Sequence, residues 1–227
     1  MGEMVEFPSN GTTGNGYLAV PSSGSGPGVV VIQEWWGLNR QIKEVCDRFA
    51  DEGLVALAPD LYRGKQTTAE DEAGQLMMAL NIEQAAKDMA GAIDYLKGYD
   101  AVTGDGVGVT GFCIGGGLAL WLATLRPDDV KAVVPYYGII PWPAAQPDYS
   151  KLRARVQGHY AENDDFAVPE TVRKLEEELR GHGTDVEFFF YPGTSHAFTN
   201  HHRPEVFHEQ HSSTAWDRTI EFFRATL

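Results

Sequence analysis

The segment Gly106-Val107-Gly108-Val109-Thr110-Gly111-Phe112-Cys113-Ile114-Gly115-Gly116-Gly117 decides the fold. Its first half is an apolar, β-branched run that predicts a buried strand, and a helical pattern begins at the three glycines. The turn between them carries a cysteine flanked at i−2 and i+2 by glycines, which is the spacing of a nucleophile elbow. In such an elbow the glycines leave room for a sharp turn that lifts one side chain above the carboxyl edge of a sheet. Here the lifted side chain would be Cys113.

Strands and helices alternate on both sides of this segment. The predicted strands are 29–32, 54–57, 106–110, 130–135, a run around Val156 and 186–191; the predicted helices are 39–52, 82–96, 115–123, 170–180 and about 205–226. The first twenty residues are expected to form a short antiparallel edge hairpin. This alternation predicts the α/β class, with a mostly parallel central sheet and helices on both faces. We expect a single domain, 1–227.

The composition argues against several classes of protein. The 32 acidic and 18 basic residues give a net charge of −14, which disfavours nucleic acids and anionic membranes as partners because both require basic patches. Two cysteines, Cys46 and Cys113, are too few for a disulfide framework and too far apart in sequence for paired metal ligands. No signal peptide or apolar run of membrane-spanning length is recognisable. We therefore expect a cytoplasmic protein, and the sequence does not predict its oligomeric state.

The sequence alone allows two interpretations of Cys113. Free cysteines are usually small buried hydrophobic residues, and glycine-rich turns are common in α/β proteins. A nucleophilic thiol needs a base and a group that orients the base, in the chain order nucleophile, acid, histidine. Asp164 and Asp165 follow the strand around Val156, and His196 follows the last predicted strand. Each alone also fits an ordinary turn residue, but their order and their shared sheet edge favour a catalytic triad.

Four separated segments resemble the dienelactone hydrolase family of α/β-hydrolases. They are Gln33-Glu34-Trp35-Trp36-Gly37-Leu38-Asn39, Ala58-Pro59-Asp60-Leu61-Tyr62, Gly111-Phe112-Cys113-Ile114-Gly115-Gly116 and Gly193-Thr194-Ser195-His196-Ala197-Phe198. A cysteine elbow combined with a Gln-Glu-aromatic-x-Gly-x-Asn loop is far more specific than the elbow alone. The resemblance covers nearly the whole chain. It implies an α/β-hydrolase fold and an enzyme that hydrolyses carboxylic esters or lactones without a metal or organic cofactor.

The resemblance also implies roles for individual residues. The implied set is a triad of Cys113, His196 and Asp164, with Glu34 near the thiol at rest and the N–H groups of Trp35 and Ile114 as oxyanion hole. Asp164 is preferred because residues 161–164 resemble the Gly-x-x-Asp spacing of the family, whereas counting back from Pro169 favours Asp165. Glu34 would repel a neighbouring thiolate, so we expect it to hold or receive a proton and to swing away when substrate arrives.

The substrate is the least determined part of the prediction. Family members that hydrolyse dienelactone hold its carboxylate with two arginines, and Gln75 and Asn200 stand at those places here. Unless a loop brings in Arg63, Lys65 or Arg203, neutral substrates are expected. Candidates for an apolar pocket are Trp36, Tyr137, Trp142 and Met78, although Met77 and Met78 also fit core positions of a helix. Three alternatives remain: a true dienelactone hydrolase, a phosphotriester hydrolase, and a non-catalytic redox-sensing or ligand-binding protein.

Overall fold

The computed structural model describes residues 2–227. The chain divides into two compact units, one that ends at Val109 and one that begins at Thr110. Strand β5, Val102–Phe112, crosses the boundary in sequence between the two. Within residues 2–227 no helix is both long enough and apolar enough to cross a membrane. The single domain predicted over 1–227 stays a prediction.

The first unit contains four strands before β5, and three helices. They are β1 Glu3–Ser9, β2 Thr12–Ala19, β3 Gly26–Ile32, α1 Arg40–Asp51, β4 Val55–Pro59, α2 Glu70–Met78 and α3 Ile82–Lys97. The strands lie in the order β1-β2-β4-β3-β5. Strand β2 pairs antiparallel with β1 and β4, whereas β3 pairs parallel with β4. The predicted N-terminal hairpin is therefore confirmed.

Helix α1 follows directly from its sequence. The Asn39 side chain caps it by accepting a hydrogen bond from the N–H of Ile42 at 3.2 Å. Ile42, Cys46 and Phe49 lie on one face and are fully buried. Burial, and to a smaller extent the charge of Asp47, raises the pKa of the Cys46 thiol. Cys46 is thus a core side chain.

Among the α-helices of residues 2–227, α2 is the one that the predicted helices do not include. Its first turn consists of Glu70, Asp71 and Glu72, and Ala73 is its one buried residue. Such a helix has no continuous apolar stripe, so the periodicity that reveals the other helices is missing.

The second unit contains the end of β5, three further strands and three α-helices. They are α4 Ile114–Leu125, β6 Val130–Tyr136, β7 Arg155–Asn163, α5 Pro169–Gly181, β8 Val186–Ser195 and α6 Glu209–Thr226. Two short 3₁₀ helices, Pro143–Ala145 and Tyr149–Lys151, lie between β6 and β7. The strands lie in the order β5-β6-β7-β8, and β7 pairs parallel with both β6 and β8. Helix α6 begins at Glu209 rather than near Glu205, because the His208 ring caps it by accepting from the N–H of His211. The predicted α/β class with a mostly parallel sheet is confirmed.

Candidate active site

Four residues of the second unit are each the first residue after a strand. Cys113 follows β5, Tyr137 follows β6, Asp164 follows β7 and His196 follows β8. Carboxyl ends of parallel strands meet at one edge of a sheet, which is where open α/β sheets bind their ligands. The topology alone therefore brings these four side chains to one edge of the second unit.

Cys113 has the backbone conformation of an elbow. Its φ of 56° and ψ of −124° lie in a region that non-glycine residues rarely adopt. Such a conformation costs on the order of 1–3 kcal/mol and persists only where the surroundings hold it. Here the N–H of Cys113 donates to the carbonyl oxygen of Tyr136 at 3.1 Å, and helix α4 begins at the next residue. The thiol thus sits between the last residue of a strand and the first residue of a helix.

The glycines around Cys113 allow backbone to approach backbone. A Cβ on Gly111 would lie 2.1 Å from the carbonyl oxygen of Gly115, and one on Gly117 would lie 2.3 Å from the carbonyl carbon of Ile139. Both distances are far shorter than any van der Waals contact, so no other residue fits at either position without a shift of the backbone. The first N–H groups of a helix have no partner inside it. The N–H of Ile114 opens α4 and follows the thiol directly.

His196 is hydrogen-bonded to a buried carboxylate. Its Nδ1 lies 2.8 Å from Oδ2 of Asp164, whose side chain is 0% exposed. The other oxygen, Oδ1, accepts from the N–H groups of Phe166 and Ala167, each at 2.8 Å. These bonds fix the carboxylate in one orientation. Asp165, the alternative from the sequence, is exposed to solvent.

The pKa of His196 reflects its position between two acidic groups. Burial by itself lowers the pKa, but hydrogen bonds and charge interactions with Asp164 and Cys113 outweigh burial and raise the pKa to about 10. The imidazole therefore carries a proton at neutral pH in the resting structure. Asp164, hydrogen-bonded to Nδ1, and Cys113 thus both act on the same imidazole.

Tyr137 packs against His196 from inside the protein. The two rings meet edge to face with centroids 5.0 Å apart, and Phe166 meets the imidazole in the same way at 5.4 Å. The Tyr137 hydroxyl is hydrogen-bonded to Oγ1 of Thr199 at 2.8 Å, three residues beyond the histidine. Tyr137 is completely buried and has a φ of 37°. In this structure it supports the imidazole rather than offering an open pocket wall.

A buried histidine that the sequence analysis does not single out lies behind these residues. His159 is fully buried; its Nδ1 is 2.8 Å from the Tyr191 hydroxyl and its Nε2 is 3.1 Å from Oγ1 of Thr219. Burial, together with the nearby charge of Arg218, lowers the pKa of His159 to about 3, so the ring is neutral. The carbonyl oxygen of His159 accepts from the N–H of Tyr137 at 2.7 Å. Its position in the strand around Val156 was the available signal, because polar residues inside such strands need buried partners.

The remaining predicted site residues of the second unit are Trp142 and Asn200. Both are buried. The indole N–H of Trp142 has no hydrogen-bond partner among the described residues. The Oδ1 atom of Asn200 accepts from the N–H of His202, so Asn200 shapes the turn after the histidine. Nearby, Arg203 pairs with Glu205 at 2.8 Å.

The other predicted residues belong to the first unit. Glu34 is 1% exposed just beyond the end of β3. Trp35 and Trp36 follow it, with their rings edge to face at 4.9 Å. Met78 ends α2 and is 73% exposed, which makes the alternative of a core position wrong for this side chain. Gln75, on the same helix, is exposed.

Comparisons with known proteins identify the family of this chain. A profile of the dienelactone hydrolase family matches residues 15–227. "Protein usf" of Aquifex pyrophilus is 39% identical over 100% of both chains, and "Putative carboxymethylenebutenolidase" of Aquifex aeolicus is 35% identical over 100% of both chains. The crystal structure of "Putative Dienelactone Hydrolase" from Klebsiella pneumoniae is 27% identical with a TM-score of 0.88, and the match covers 99% of this chain and 98% of that one. The predicted α/β-hydrolase fold is confirmed by that similarity. Because the profile matches far more than half of its length, the chain belongs to the dienelactone hydrolase family.

Proposed function

We propose that this protein hydrolyses carboxylic esters or lactones with Cys113 as nucleophile, His196 as base and Asp164 as the group that orients the base. The observation that carries the proposal is the position of His196, whose Nδ1 lies 2.8 Å from Oδ2 of Asp164 and whose pKa is raised by both Asp164 and Cys113. A nucleophile, a base within hydrogen-bond reach and a third group behind the base are what covalent acyl transfer requires. Family membership supports the same class of reaction.

In the first step the thiolate sulfur of Cys113, paired with the protonated His196, attacks the carbonyl carbon and the C=O electron pair moves to oxygen. The N–H of Ile114 and the positive end of α4 stabilise that oxyanion. The C–O bond to the leaving group then breaks, and the proton on His196 passes to the departing alkoxide, which leaves a thioester on Cys113. A protonated imidazole suits this step, because its raised pKa keeps the proton available at neutral pH.

In the second step the now neutral His196 takes a proton from water as that water attacks the thioester. The carboxylic acid leaves, and the proton ends on the imidazole beside the regenerated thiolate. Asp164 stabilises the imidazolium each time it forms and keeps Nδ1 pointing away from the thiol. Two unpaired cysteines fit the reducing cytoplasm expected from the sequence, where such a thiol stays reduced.

The roles that the family resemblance implies for Glu34 and for the N–H of Trp35 stay predictions. A buried glutamate that exchanges a proton in the resting state must alter the pH dependence of the thiol. We therefore expect Glu34→Gln to change the pH profile of Cys113 alkylation by iodoacetamide. An unchanged profile would show that Glu34 is only a structural residue.

The expected substrates are neutral. Of the bases that the sequence offered in place of a clamp, Arg203 pairs with Glu205 at 2.8 Å, and Arg63 and Lys65 line a cavity of the first unit whose lining contains no residue of the candidate triad. Leaving a substrate carboxylate unpaired in a buried site costs on the order of 2–5 kcal/mol, which is roughly 30-fold or more in rate. A matched pair of a neutral aryl ester and its carboxylated analogue, assayed at several salt concentrations, tests this selectivity. Faster hydrolysis of the carboxylated ester at every salt concentration would favour a true dienelactone hydrolase.

The decisive experiment is hydrolysis of p-nitrophenyl acetate by Cys113→Ala, Cys113→Ser and the matched control Cys46→Ala. The first variant should lose turnover, the second should be poor because a hydroxyl is a weaker nucleophile at neutral pH, and the control should keep turnover because Cys46 is a core residue. Sustained release of nitrophenol by the native chain is expected. A single stoichiometric burst without turnover would support a trapped, non-catalytic thiol instead, and full activity of Cys113→Ala would overturn the assignment.

A further inference from the structure

We propose that the first unit contains a second binding site, for a small carboxylate with a short apolar chain. The site is a cavity of about 340 Å³ between the loop after β4, the end of α2 and the start of α3. It is lined by Leu61, Tyr62, Arg63, Lys65, Leu76, Ala79, Leu80, Asn81, Gln84, Ala85 and Asp88. None of these residues belongs to the candidate triad, so the proposal does not depend on the hydrolytic mechanism.

The walls of the cavity suit a short hydrocarbon chain. Leu61 and Ala85 are buried, and Leu76 and Leu80 are half-buried side chains from the end of α2 and the residues after it. The volume lies at the lower end of the range of about 300–1,000 Å³ that is usual for small-molecule sites. Binding is favoured when an apolar group displaces water from aliphatic side chains around a concave surface. A chain of a few methylenes matches both the size and the surface.

The cationic side of the cavity contains an ion pair between the exposed Arg63 and the buried Asp88. Nη2 of Arg63 lies 3.1 Å from both oxygens of Asp88, whose side chain is 3% exposed. The hydroxyl of Ser9 and the amide of Gln84 also donate to Asp88, so its negative charge is fully engaged. Nη1 of Arg63 reaches the carbonyl oxygen of Thr13 at 3.3 Å. The guanidinium is therefore held in place instead of moving freely on the surface.

The backbone at Arg63 is also held in place by hydrogen bonds. Arg63 has a φ of 52° and Gly64 a φ of 90°, which makes a tight left-handed turn. The carboxylate of Asp60 closes this turn by accepting from the N–H groups of Tyr62 and Gly64. This conformation costs free energy for a non-glycine residue, and contacts with the surroundings must offset that cost. The turn presents Arg63 and Lys65 together at the cavity.

The charge of the cavity lining favours an anionic ligand. Arg63 and Lys65 against Asp88 leave one net positive charge on the lining of a chain whose total is −14. Within residues 2–227 neither Nε of Arg63 nor Nζ of Lys65 donates a hydrogen bond to a protein group. A carboxylate accepts such donors well. A chain that ends in a neutral amide would fill the same apolar walls but would lack this interaction.

The test is calorimetric titration of the native chain and of Cys113→Ala with hexanoate and hexanamide, in about 0.1 M salt so that the overall charge is screened. Hexanoate should bind roughly tenfold more tightly than hexanamide, the usual size of one charge-assisted hydrogen bond. Lys65→Met should remove most of that preference without changing hexanamide binding. Lys174→Met, on the surface of α5, is the matched control for loss of one positive charge and should change nothing.

A second variant identifies the place of binding. Ala79 is exposed and lines the cavity, so Ala79→Trp should fill it without disturbing the core and should abolish binding of both ligands. The proposal is overturned if hexanoate does not bind at about 10 mM, which is about ten times the Kd of roughly 1 mM expected for a weak site. Equal affinity for the amide, or unchanged binding to Ala79→Trp or Lys65→Met, would also overturn it.

Discussion

Replacement of Gly111 by alanine tests the packing of the elbow directly. The new Cβ would lie 2.1 Å from the carbonyl oxygen of Gly115, 2.4 Å from its carbon and 3.0 Å from the nitrogen of Gly116. All three are backbone atoms, so no side chain can rotate away. To reach an ordinary contact of about 3.4 Å, either β5 or the start of α4 has to move by more than about 1 Å.

Neither element has room for that movement. Gly116 already lies against Gly138, and Gly117 against the backbone of Ile139, so α4 cannot recede from the strand. Overpacking of this kind costs typically 1–3 kcal/mol, and a clash with backbone belongs at the upper end. About 3 kcal/mol corresponds to a melting temperature roughly 6–12 °C lower for a chain of this length. A displacement of the nucleophile by about 1 Å is also expected to lower kcat/KM about 100-fold.

The assays are thermal unfolding by circular dichroism and hydrolysis of p-nitrophenyl acetate. The matched control is Gly74→Ala in α2, where a Cβ meets nothing within 4 Å. Since alanine favours a helix interior over glycine by about 1 kcal/mol, this control should raise the melting temperature by about 2–4 °C at unchanged activity. A Gly111→Ala variant that melts within about 2 °C of the native chain and keeps its activity would refute the elbow packing described here.

Three further predictions concern the histidines and their supports. Asp164→Asn should lower the pKa of His196 from about 10 by roughly 1 to 3 pH units, read from its ring signals by NMR; an unmoved pKa would contradict the pairing. The folded-state pKa of His196 is raised, so protonation of this ring stabilises the native chain more than it stabilises Asp164→Asn. In urea unfolding, the resulting difference in the free energy of unfolding should be complete below about pH 6.5 and should vanish as pH rises through about 10. Tyr137→Phe keeps the ring but removes the bond to Thr199, which should cost about 1–3 kcal/mol and lower kcat with little change in KM. His159 has a lowered pKa, so stability should fall by about 1.4 kcal/mol per pH unit from about 6.5 towards about 3, and His159→Gln should flatten that slope.

The elbow could be predicted from sequence because its causes are local. A strand, a turn and a helix start occupy consecutive residues, and the glycine spacing reports a close backbone approach at Gly111 and Gly117. Cys113 and His196 follow from the same reasoning, since each comes directly after a strand. The choice between Asp164 and Asp165, in contrast, does not follow from the local sequence. Adjacent residues differ in which way they point, and only the three-dimensional turn buries one and exposes the other.

Features that depend on distant parts of the chain were not predictable. Tyr137 is predicted as a pocket residue because it follows a strand, and its complete burial against the ring of His196 is a contact that the sequence does not reveal. Arg63 looked like a possible substrate clamp, yet Asp88, 25 residues further along the chain, holds it at a different cavity. Helix α2 has no apolar stripe, so the pattern that predicts the other helices is missing from it. These outcomes are set by tertiary contacts that no local pattern contains.

The two cysteines differ in accessibility, and this gives the native chain one attachment point for probes. Cys46 is 0% exposed and its pKa is raised by burial, so thiol reagents leave it untouched while the protein is folded. Cys113 is 7% exposed at the start of a helix. A chromogenic disulfide should therefore release one equivalent of reporter per folded chain and a second only in denaturant. The absorbance of the released reporter would then measure the number of folded chains. A fluorophore attached to Cys113 by the same chemistry would label one known atom.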